Sequence, residues 1–122
     1  MNKVELGQFY TTNYHYILKN LVIPSFIKEI IEPFSGEGHL AIFAKNFNSL
    51  LNIIEYDIEP KKNNIIKRDT LLYPPEYESY YIITNPPYLA RNKSNNKEIF
   101  DKYNENDLYK CFLRNIIQNN CQ

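Results

Sequence analysis

The chain has 122 residues, 14 Lys+Arg against 14 Asp+Glu, and 43% hydrophobic content, enough for one domain that buries about two thirds of its unfolded surface. A formal net charge of zero excludes a histone-like or tail-type nucleic-acid binder, which draws affinity from neutralising many phosphates, so any nucleic-acid contact must be local. No run approaches the ~20 apolar residues of a membrane span, and the N-terminus MNKVELGQFYTT has no apolar signal-peptide region. Two cysteines, Cys111 and Cys121, and two histidines, His15 and His39, form neither a disulfide framework nor zinc-ligand spacing. A reduced, cytoplasmic setting is expected, with no membrane and no metal.

In chain order, residues 14–21 and 25–27 read as helical. Residues 28–32 (KEIIE) read as a short buried strand stopped by Pro33, and FSGEG follows as a glycine turn. Residues 39–47 (HLAIFAKNF) put Leu40, Phe43, Ala44 and Phe47 on one helical face. A second strand is expected over 51–56, a third over 64–67, and a fourth over 80–84 that runs into Asn85, Pro86, Pro87 and Tyr88. The polar stretch 91–106 reads as a mobile or substrate-facing loop. Residues 107–118 close the chain as a helix, with Asp107 near its start and Leu108, Cys111, Phe112 and Ile116 on one side. Near-continuous apolar strands joined by helices or longer segments imply an α/β fold with a mostly parallel sheet covered on both faces. In such sheets ligands sit beyond the carboxyl ends of the strands, which singles out residues 32–38, Asp57, Asp69 and residues 85–88.

Phe34, Ser35, Gly36, Glu37 and Gly38 form a short turn feeding a helix, which lets backbone approach a ligand and points N–H groups at it. The third glycine of a dinucleotide fingerprint and the lysine of a phosphate loop are both missing, so pyrophosphate binding is disfavoured. Asp57 follows Gly36 by 21 residues at a strand end, where an acid can accept both hydroxyls of a ribose. Singly, these residues also fit a helix-capping turn and a solvated strand-end carboxylate. Asn85-Pro86-Pro87-Tyr88 is sharper. Each proline forces its predecessor out of the helical region, so Asn85 and Pro86 are held extended with their carbonyls fixed side by side. Two such acceptors suit a planar amino group and Tyr88 offers a flat face for stacking, although a Pro-Pro turn closing a strand gives the same sequence.

Taken together, the sequence resembles the S-adenosylmethionine-dependent N6-adenine DNA methyltransferases, over nearly its whole length and in family motif order. LGQFYTT (6–12) looks like the N-terminal cofactor motif, IIEPFSGEG (30–38) like the Gly-rich motif and YDIEP (56–60) like the ribose-binding motif. RDTL (68–71) looks like the motif for the cofactor's adenine, TNPPY (84–88) like the catalytic motif and DLYKCFL (107–113) like the helix motif after it. Thr12 departs from the family, which often has Pro there. Only 49 residues separate Gly36 from Asn85, which resembles the gamma arrangement with target recognition at the C-terminus.

The resemblance implies a Rossmann-like methyltransferase fold that is incomplete, with about four strands and flanking helices. Its segments would be an N-terminal cofactor motif and helix (1–24), a cofactor-binding core through NPPY (25–90), the polar loop (91–106) and the C-terminal helix (107–122). It implies methyl transfer from S-adenosyl-L-methionine to the amino group of a flipped adenine in double-stranded DNA, as in a restriction-modification system. Asn85, Pro86, Pro87 and Tyr88 would be catalytic; Thr11, Glu32, Phe34, Gly36, Gly38, Asp57, Ile58, Asp69 and Thr70 would bind the cofactor. The chain looks truncated or split, so a second polypeptide carrying the remaining strands and the recognition domain is an expected partner, and the isolated chain is expected to be inactive on DNA. NPPY-type enzymes that methylate protein glutamine amides, and a non-catalytic cofactor-binding fragment, are the alternatives.

Overall fold

The structure, a computed structural model, describes residue 20 and residues 22–78 and 80–119. It contains β1 (Glu29–Glu32), α1 (His39–Phe47), β2 (Asn52–Asp57), β3 (Ile66–Lys67), β4 (Tyr81–Ile82), a 3-10 turn (Arg91–Lys93), α2 (Glu98–Tyr103) and α3 (Leu108–Gln118). The four strands form one sheet in the order β3-β2-β1-β4, every pair parallel.

Strand register explains why both faces are apolar. Ile30 lies level with Ile53 and Tyr81, and Ile31 with Ile54 and Ile82. Successive side chains of a strand point to opposite faces, so these two rows feed two separate cores. The Ile30 row packs with Ala44 of α1 and with Leu51. The Ile31 row packs with Phe100 and Tyr103 of α2 and with Leu108, Cys111 and Phe112 of α3. The result is a small parallel sheet flanked by helices, the generic Rossmann-like α/β arrangement expected from the strand–turn–helix order.

A polar network anchors α3. Asn115, fully buried, donates through Nδ2 to the Thr70 carbonyl (3.0 Å) and the Tyr103 hydroxyl (2.9 Å), and its Oδ1 accepts from the Tyr77 hydroxyl (2.6 Å). The Tyr103 hydroxyl in turn donates to the Leu71 carbonyl (2.5 Å). These bonds tie the helix to the connection between β3 and β4, and with every buried side-chain polar atom among the described residues satisfied, burial carries no unpaired penalty.

Three expectations need correction. Residues 25–27 form a turn, with the Ile27 N–H bonded to the Pro24 carbonyl (3.0 Å), because the run is too short to nucleate a helix. The expected loop 91–106 holds the 3-10 turn and α2. Ile99, Phe100 and Tyr103 make a helical stripe within that polar composition; Asn96 Oδ1 accepts from the Glu98 N–H (2.9 Å) at its start, and Asn104 in the left-handed region ends it. Third, β3 and β4 pair over only two residues each, shorter than 64–67 and 80–84. The helix expected over 14–21 and the cofactor motif at 6–12 lie outside the described residues, Asn20 apart. Among the described residues no helix is long and apolar enough to cross a membrane.

Candidate functional site at the carboxyl ends of the strands

β1 ends at Glu32, whose side chain is 2% exposed. Its Oε1 accepts from the Phe34 N–H (2.9 Å) and from the Thr84 hydroxyl. Burial pushes this carboxyl up from 4.5 to about 8, against the lowering effect of those two hydrogen bonds and with smaller contributions from the Glu55 and Asp57 charges. At neutral pH Glu32 therefore holds its proton in the absence of a cationic partner.

Past Pro33 the chain stays against β2, with the Ser35 N–H bonded to the Tyr56 carbonyl (2.8 Å), and then turns at Gly36 (φ 60°) and Gly38 (φ 83°). Both dihedrals lie in the region that strains any residue with a Cβ. At Gly38 a Cβ would come within 3.3 Å of Glu55 Oε1 and 3.4 Å of Lys62 Nζ. Two buried acids of β2 hold this turn. Glu55 accepts from the Ser35 hydroxyl (2.6 Å) and from Asn64 Nδ2 (2.7 Å). Asp57 accepts from the Gly36 N–H through Oδ2 (2.8 Å) and from the Glu59 N–H through Oδ1 (2.8 Å).

Asp69 organises the turn after β3, its Oδ1 accepting from the N–H groups of Leu71 (3.2 Å) and Leu72 (3.3 Å). Thr70, fully buried, donates its hydroxyl to the Pro33 carbonyl (3.1 Å) and so joins this turn to the end of β1. Phe34 meets Phe112 of α3 edge to face, with centroids 5.0 Å apart. After β4, residues 85–87 are half-buried and Tyr88 is 46% exposed.

Adjacency in the sheet thus unites most of the sequence-derived site. Glu32 is bonded to Phe34 and Asp57 to Gly36, and Gly38 bonds the carbonyl of Ser35, which lies in the chain between these two pairs. Thr70 is tied to this cluster through Pro33, with Asp69 beside Thr70 in the chain. The Glu32–Thr84 bond brings the start of the Asn85–Tyr88 segment to the same cluster. Ile58, next to Asp57, is half-buried, and Thr11 lies outside the described residues. Asp57, expected to face a ribose, holds the glycine turn through Oδ2 and the Glu59 N–H through Oδ1.

Glu55 and Thr84 escaped the sequence reading, and Ser35 entered it only as part of the glycine turn, although Thr84 stands in the quoted TNPPY and Glu55 two residues before Asp57 on the same strand face. Of the basic residues beyond NPPY, Arg91 is paired with Asp101 (2.5 Å), and Lys97 donates to the Arg91 and Ser94 carbonyls, so these two organise the loop. No group of three or more metal-ligating side chains occurs among the described residues. A cavity of about 390 Å³ on the outer face of α3, lined by residues such as Leu113, Arg114 and Ile117, shares no residue with the strand-end cluster. Compared with protein-family models and with curated proteins, the chain matches none.

Proposed function

We propose that the strand-end cluster is the cofactor and target site of an S-adenosylmethionine-dependent methyltransferase that modifies the N6 amino group of a flipped adenine in DNA. The observation that carries this reading is the Glu32–Thr84 hydrogen bond between the ends of the adjacent strands β1 and β4. It supports a single site in which a glycine turn and an Asn-Pro-Pro-Tyr segment serve one reaction.

The donors and acceptors on hand suit the cofactor. Glu32 offers its buried carboxyl to an ammonium group, and the left-handed glycines allow backbone to approach closely. Asp57, with Ile58 beside it, would meet the ribose and ring, and Asp69 the ring's amino group. When bound, the cofactor supplies an electrophilic methyl group.

The chain's own part is positioning. The exocyclic amine of adenine is a poor nucleophile because its lone pair is delocalised into the ring. Acceptance of its two hydrogens by the Asn85 side-chain oxygen and the Pro86 carbonyl favours a tetrahedral nitrogen, an interaction strongest in the transition state. The base must leave the duplex to be reached, and Tyr88 offers the face on which it stacks.

The test is to purify the chain from its native cells with whatever accompanies it, supply labelled cofactor and digest the products. N6-methyladenine is expected, with Asn85→Ala lowering turnover at least about a hundredfold while cofactor affinity stays within about threefold. Label on protein glutamine amides, or equal losses of turnover and affinity in the variant, would overturn the assignment.

A further inference from the structure

We infer that Tyr109, in the first turn of α3, is a positioning residue that fixes the ring of Tyr88 and so makes α3 part of the target-binding site; this rests on the proposed stacking role of Tyr88. The two rings lie with centroids 5.6 Å apart, inclined by 40°. Their meeting is prepared by the backbone. Ala90 and Asp107 form an isolated antiparallel bridge just before α3, which brings the exit of the Asn85–Tyr88 segment against the first turn of that helix, where Tyr109 meets Tyr88.

The tie is closed on both sides of that bridge. The Leu108 N–H donates to the Leu89 carbonyl (3.1 Å) and the Arg91 N–H to the Asn106 carbonyl (2.9 Å). Asp107 Oδ1 accepts from the Leu89 N–H (3.3 Å) and the Tyr109 N–H (3.4 Å), so one carboxylate caps α3 and holds the exit of the Asn85–Tyr88 segment. The Lys110 ammonium stands 5.9 Å from the centroid of the Tyr109 ring and bonds Asn106 Oδ1 (3.3 Å).

Tyr88 itself is 46% exposed, and an exposed ring has free rotamers unless a neighbour restricts them. Tyr109 is that neighbour. Rings 5.6 Å apart at this tilt are in contact, so no base fits between them; Tyr109 backs Tyr88 and leaves its other face to the ligand. A planar heteroaromatic amine gains from a fixed stacking face, whereas a glutamine amide gains far less, so the pair selects for a nucleobase.

The experiment compares the wild-type chain with Tyr88→Ala, Tyr109→Ala and Tyr109→Phe in binding two thymine oligonucleotides, one carrying a single adenine and one an abasic site in its place. Single strands remove the cost of flipping. Wild type should favour the adenine strand about tenfold, Tyr88→Ala should lose that preference, and Tyr109→Ala should lose most of it. Tyr109→Phe should keep it, because the ring and not the hydroxyl makes the contact. Cofactor affinity, measured by calorimetry, should stay within about twofold in all variants. Full preference in Tyr109→Ala beside loss in Tyr88→Ala would overturn the inference alone, as would a parallel fall in cofactor affinity in Tyr109→Ala. Equal, weak preference in wild type and Tyr88→Ala would overturn the stacking role of Tyr88, and the inference with it.

Discussion

Glu32→Gln separates the charge of the buried acid from its hydrogen bonds. The amide keeps an oxygen for the Phe34 N–H and the Thr84 hydroxyl but cannot ionise. In the wild type the carboxyl titrates near its ordinary 4.5 when unfolded and at about 8 when folded. Unfolding between those values therefore releases a proton. The stability this group permits is complete below 4.5, erodes as pH rises from there through about 8, and is constant above it. At about 1.4 kcal/mol per tenfold change in proton affinity the full swing is up to about 5 kcal/mol, a large part of the ~5–15 kcal/mol by which domains are stable. Urea unfolding at pH 5, 7 and 9 reads it directly. The variant should match the wild type to about 1 kcal/mol at pH 5 and exceed it by several at pH 9. The rest of the chain is identical in the two proteins, so the difference isolates the Glu32 carboxyl together with its coupling to Glu55 and Asp57. Parallel pH profiles would mean that Glu32 is solvated or already charged, and would refute the reasoning.

Asn115→Leu removes two donated hydrogen bonds and one accepted bond from a fully buried position. It should cost about 3 kcal/mol or more, read as a lower urea midpoint at constant slope; an unchanged midpoint would dissolve the anchoring role. Gly38→Ala places a Cβ at φ 83° and 3.3 Å from Glu55 Oε1, so a loss of about 1–2 kcal/mol is expected from backbone strain, and a thermally neutral variant would contradict the left-handed turn. Burial, with Glu105 and Asp107 nearby, pushes the Cys111 thiol up to about 11. In a Cys121→Ser background it should resist a water-soluble disulfide reagent at pH 8 until urea unfolds the chain; labelling at the rate of a free thiol would contradict its burial.

The elements that dominate the architecture were legible in the sequence because local pattern and tertiary role agree. α1 carries its apolar stripe at helical spacing and spans the expected 39–47, and α3 differs only in that Asp107 caps it from outside. β1 and β2 moved by one residue at their ends. α2 was obscured because Asn, Lys and Glu dominate the surrounding stretch, while the three residues that bury it, Ile99, Phe100 and Tyr103, look sparse in that composition. The site was legible as a set of strand ends but not as a bonded cluster. No spacing rule says that Glu32 reaches Thr84 or that Asp57 holds Gly36; both contacts depend on which strands are neighbours, and that is set by the packing of the two isoleucine rows. Tyr109 was hidden for a similar reason, since its partner comes from an antiparallel bridge between two short segments.

Whether the carboxyl ends of β1, β2 and β4 bind S-adenosylmethionine is tested most directly by titrating it into the isotopically labelled chain and mapping backbone amide shifts. The account predicts saturable changes at Phe34, Gly36, Gly38, Ile58 and Thr70, extending to Asn85, weakened in Asp57→Ala, with Leu113 and Ile117 on the outer face of α3 unmoved. Saturable binding that shifts the outer face of α3 and leaves Gly36, Gly38 and Ile58 in place would contradict it, as would the lack of any saturable change.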